Sequence, residues 1–95
     1  MAQLTTGVRE RIEFLLDHLI QEWENLPRAE REIDQWDLIE QIDYIEEWTP
    51  TEGLRHELEG YAAKGLLDSD QQARYEKLQR LVAENRPILN RLRES

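Results

Sequence analysis

Apolar residues recur along this chain at spacings of three and four, the period of helices that bury one side. Val8, Ile12, Leu15, Leu16, Leu19 and Trp23 form one clean stripe and predict a helix over 7–25. Its other side carries Glu10, Glu13, Asp17 and Gln21, and Phe14 stands off the stripe as a half-covered edge aromatic. Residues 1–6 form a short lead-in that is expected to be flexible. Asn25-Leu26-Pro27 then predicts a break, because proline lacks the amide donor and pushes its predecessor out of the helical region. Proline is also well suited to open the next helix, so the connection is expected to be very short.

The second predicted helix, 27–48, has apolar residues on two sides. At about 100° per residue, Leu38, Ile39, Ile42 and Ile45 gather on one side as a core-facing stripe. Ile33, Trp36 and Tyr44 fall on the other, interleaved with Asp37, Glu40, Asp43 and Glu47. A solvated face rarely pairs a tryptophan with an isoleucine, and a buried face rarely holds four carboxylates. Three readings fit. The second set packs on a neighbouring helix of the same chain, or it meets its copy across a twofold axis. Alternatively it docks a basic partner, with aromatic anchors and acidic steering charge.

Thr49-Pro50-Thr51-Glu52 reads as a capping box with Thr49 as the cap, opening a helix over 50–64 whose Leu54, Leu58, Tyr61 and Ala62 face inward. Gly65 stops it, with Leu66 as the apolar cover. Ser69, with Gln72 three residues on, is expected to cap the last helix, 69–94. Its stripe of Tyr75, Leu78, Leu81, Val82, Ile88, Leu89 and Leu92 stays in phase across Pro87, which predicts one helix kinked there. The expectation is an all-α fold: a single domain over 7–95, arranged as a small four-helix antiparallel bundle or a related helical array.

Charge adds direction to this picture. The 95 residues carry a net charge of −9, unevenly placed. Residues 1–60 hold 16 acids and 5 bases, whereas 61–95 hold 5 acids and 7 bases. The acidic part disfavours nucleic acid and anionic membrane as direct ligands, and favours a basic protein surface. No cysteine is present, which excludes disulfides and thiolate chemistry. No stretch approaches the roughly 20 apolar residues of a membrane span, and the first 30 residues show no secretory pattern, so the cytoplasm is expected.

Candidate chemistry is sparse. His18 sits one turn from Glu22, and His56 lies beside Glu52 and Glu59, but neither matches the spacing of diiron bundles or zinc peptidases. Both read as solvent-facing histidines paired with glutamate along their own helix. The ladder Asp34, Asp37, Glu40, Asp43 and Glu46 repeats every three residues, so it winds around a helix instead of lining a cleft. Like charges at that spacing repel, and the basic edge of the last helix, Lys77, Arg80 and Arg91, is expected to compensate them. No phosphate-binding glycine loop is present.

The sequence therefore points to a small acidic protein-protein interaction or regulatory module without catalysis, cofactor or metal, and homodimeric. The alternative is an acidic, antitoxin-like inhibitor that mimics nucleic acid and binds a basic partner. Ile33, Trp36, Asp37, Glu40, Asp43, Tyr44 and Glu47 are the candidate partner-binding residues.

Overall fold

The computed structural model describes residues 2–94, with side chains over 7–94. Four α-helices follow in order: α1 (Ala2–Glu32), α2 (Leu38–Glu46), α3 (Trp48–Ala63) and α4 (Ser69–Glu94), with a three-residue 3-10 turn at Ile33–Gln35. No strand occurs among the described residues. The fold is all-α.

The first departure from the sequence expectation is at Pro27, where α1 continues without a break. The apolar stripe explains why. Leu26, Ala29 and Ile33 extend it in phase beyond Trp23, and all three are buried. Pro27 removes the donor that would serve the Trp23 carbonyl four residues back. Asn85, a buried amide on α4, donates to that carbonyl over a long 3.5 Å. Another element thus meets the acceptor that the proline leaves open. At the other end, α1 is already helical at Ala2; Met1 and the side chains of 1–6 lie outside the described residues, and with them the flexibility expected of the lead-in over 1–6.

The predicted helix 27–48 does not exist as one element. Its first six residues belong to α1, and the chain turns through Trp36 and Asp37, both extended in ψ, before α2 begins. Asp37 caps α2 by accepting from the Glu40 amide at 2.9 Å, and that bond holds its carboxyl below the ordinary range. The Gln41 side-chain Nε2 donates to the carbonyls of both Ile33 and Trp36 at 2.9 Å and fastens the turn. A single residue, Glu47, separates α2 from α3.

Two other caps also differ. Helix α3 starts at Trp48 with no side-chain cap; Thr49 is exposed, and Thr51 donates back to the Glu47 carbonyl at 2.9 Å. Asp68, not Ser69, caps α4. Its carboxylate accepts from the Gln71 amide at 2.8 Å while the Gln71 side chain accepts from the Asp68 amide at 3.1 Å. The stop at Gly65 is a Schellman motif: Leu66 donates to the Tyr61 carbonyl at 3.1 Å and Gly65 to that of Ala62 at 3.0 Å. Gly65 adopts φ +71°, a conformation that disfavours any residue with a Cβ.

Helix direction follows from cross-helix partners. Glu13 meets Arg74, Trp23 meets Asn85, and Glu30 meets Arg91, so α1 and α4 run parallel. Arg11 meets Glu57 and Trp23 meets Trp48, so α3 runs opposite to α1. The long helices α1, α3 and α4 thus form an up-down-up array, and α2 stands at one end against α3. The sequence expectation is a four-helix antiparallel bundle or a related helical array; the parallel α1 and α4 do not fit the first of these. Helix α4 runs unbroken through Pro87.

The core joins Ile12, Leu15, Leu16, Leu19, Trp23 and Leu26 of α1 to Trp48 and Leu58 of α3 and to Tyr75, Leu78, Leu89 and Leu92 of α4. Trp23 and Trp48 pack edge to face at 4.9 Å between centroids, and such a pair adds roughly 0.5–1.5 kcal/mol beyond area burial.

Candidate functional site

Helix α2 is the element whose surroundings differ most from its pattern. The side expected to face the core is the open one: Leu38 is 69% exposed, Ile39 72% and Ile42 45%. Only Ile45 of that stripe packs against the core. The opposite set turns inward. Ile33 is buried in the core, while Trp36 and Tyr44 are partly covered and lie against it. Trp36 meets Tyr44 edge-on at 5.4 Å, and Tyr44 meets Trp48 at 6.2 Å. The turn at Trp36–Asp37 rotates α2 relative to α1, and this exchanges the two faces.

Five of the seven sequence candidates nevertheless come together. Trp36, Glu40, Asp43, Tyr44 and Glu47 line one open depression of about 250 Å³. Ile33 is withdrawn into the core, and Asp37 is engaged as the cap of α2. Among the described residues no hydrogen-bond partner meets the buried Tyr44 hydroxyl, and burial pushes its pKa upward. Leu38, Ile39 and Ile42 are the surface residues that periodicity alone assigns to the wrong side. The capping signature Asp37-x-x-Glu40 is the available signal for the break that turns them outward.

Electrostatics set this end of the molecule apart. Of the three basic residues expected to compensate the acid ladder, two serve α1 instead: Lys77 pairs with Glu24 at 3.3 Å and Arg91 with Glu30 at 2.9 Å, while no ion pair joins Arg80 to the ladder among the described residues. Arg74 bridges Glu13 and Asp17, Arg86 joins Arg55 on Glu52, and Arg11 grips Glu57 through two bonds of 2.8 Å. Among the described residues, no ion pair reaches Asp34, Asp37, Glu40, Asp43, Glu46 or Glu47. Between Arg31 and Arg55 the chain carries eight acids and no base. The result is a concentrated negative surface beside an exposed apolar strip.

Other candidates are weaker. His18 lies 3.9 Å from Glu22 and His56 lies 3.0 Å from Glu59, each along its own helix. No group of three or more potential metal ligands occurs among the described residues. Phe14 is exposed, stacked on His18 at 5.7 Å with Arg11 over its ring. No described helix is long and apolar enough to cross a membrane. Comparison with family models, curated proteins and solved structures returns no match.

Proposed function

We propose that this chain is a small non-catalytic interaction module that holds a basic partner protein at its α2 end. The supporting observation is the cluster of six carboxylates around α2 with no ion pair to them among the described residues, in a molecule whose other helices carry many. Like charges repel along a helix, and that cost persists unless something outside the fold offsets it. Neutralising the depression by Glu40→Gln, Asp43→Asn and Glu47→Gln tests the reading. Partner capture that depends on these carboxylates, with folding unchanged, is the expected result. Equal capture by both proteins would rule it out.

A contact made through charge alone, as an acidic inhibitor of a nucleic-acid-binding site would make, weakens steeply between low and moderate salt. An apolar-anchored contact weakens much less. The second reading is a homodimer, favoured by the exposed Leu38, Ile39 and Ile42 on a chain with a modest core. Solution mass by light scattering distinguishes it.

A further inference from the structure

We infer that the strip formed by Leu38, Ile39 and Ile42 seats the apolar face of a basic amphipathic helix supplied by a partner protein. The inference rests on the interaction reading above and specifies the occupant. At about 100° per residue the three side chains span a sector of roughly 100°, the width of one helix-facing stripe. Their exposures of 69%, 72% and 45% leave them free to pack. Helix α2 has nine residues and is about 13 Å long, enough for two turns of a second helix to lie along it.

Charge decides among occupants. A second copy would bring the same ring of carboxylates against itself, and like charges across an interface cost several kcal/mol. An anionic membrane is repelled for the same reason. A helix with apolar residues at i, i+3, i+4 and i+7, flanked by Lys or Arg, meets both requirements at once. Its apolar positions cover the strip. Its cations reach Glu46, which falls between Ile42 and Ile39 around the helix, and Asp43 and Glu40 beyond Ile39.

The probes are a synthetic amphipathic helix of Leu and Lys and a peptide of identical composition in scrambled order. Calorimetric titration of the wild type should show the amphipathic peptide binding roughly tenfold or more tightly than the scramble. Leu38→Ser with Ile42→Ser, which leaves the charge unchanged, should erase that difference. Equal, salt-sensitive binding of both peptides would overturn the helix-docking inference while leaving the acidic interaction reading in place. Binding of neither peptide would overturn both. Wild-type protein that runs as a dimer in light scattering, and as a monomer after Leu38→Ser with Ile42→Ser, would assign the strip to a second copy and overturn the inference by that route.

Discussion

Asn85 of α4 donates to the carbonyl of Trp23 in α1, the acceptor that Pro27 leaves without its helical partner. The bond links two parallel helices where Pro27 opens the backbone ladder of α1. Asn85→Ala is expected to cost roughly 1–2 kcal/mol, because a buried carbonyl then stays unpaired. In a Pro27→Ala background the helix supplies its own donor, and the same substitution should cost markedly less. Denaturant unfolding of the four proteins measures the coupling; an equal cost in both backgrounds would show that the carbonyl is not the reason.

The start of α4 separates two neighbouring residues. Asp68→Ala should destabilise by about 1 kcal/mol, since it removes the cap, whereas Ser69→Ala should stay within about 0.5 kcal/mol. The reverse order in thermal melts would return the cap to Ser69.

The exchanged faces of α2 make a sharp contrast. Ile33→Ala should cost roughly 2–4 kcal/mol as a core truncation, while Ile39→Ser should change stability by less than about 0.5 kcal/mol. A large loss in the second variant would mean that Ile39 is covered.

Neutralising the acidic ring should stabilise the fold. Asp43 and Glu46 sit in the last turn of α2, where like charges repel and the helix end is itself negative. Asp43→Asn with Glu46→Gln is expected to raise stability by a few tenths of a kcal/mol at low salt, and the gain should vanish near about 1 M salt. A loss of stability would reveal a compensating cation. A gain in stability with loss of partner binding would mark these acids as kept for function.

Stability should also depend on pH through Glu52. Burial alone would raise its carboxyl pKa, but hydrogen bonds from Arg55 and Arg86 outweigh that and hold it below the ordinary range. Glu57 is held low chiefly by its bonds from Arg11. A depressed folded pKa contributes stability above the unfolded carboxylate value of about 4.3, and that stability is lost as pH falls through the lower folded value. Melting temperatures taken downward from about pH 6 should fall more gently in Glu52→Gln than in the wild type. Parallel curves would remove Glu52 from the explanation.

Much of the fold is legible in the sequence because stripes report helices directly. The stripe of α1, the stop at Gly65 and the span of α4 follow from periodicity and from one glycine. Pro27 shows where local chemistry misleads: the phase argument that carries α4 through Pro87 applies equally to Leu26, Ala29 and Ile33, yet the proline by itself reads as a break. Its compensation by Asn85 lies 58 positions further along the chain, where no local reading reaches it. At α2 the difficulty is the opposite one. Periodicity runs on through Asp37, although a cap residue with Glu40 three positions on marks a helix start. The acidic, aromatic character of the site is readable from composition; which apolar residues stay exposed is not, because that depends on the rotation introduced at one turn.

All three tryptophans of the chain lie on one aromatic path: Trp36 touches Tyr44, Tyr44 touches Trp48, and Trp48 touches Trp23. The path runs from the rim of the acidic depression to the centre of the core. Tyr44 passes excitation downhill to the tryptophans on either side of it, and Trp48 and Trp23 lie 4.9 Å apart. Trp36 lines the depression, so a ligand seated there would change the chain's own tryptophan emission, and binding at α2 can be tested without a label.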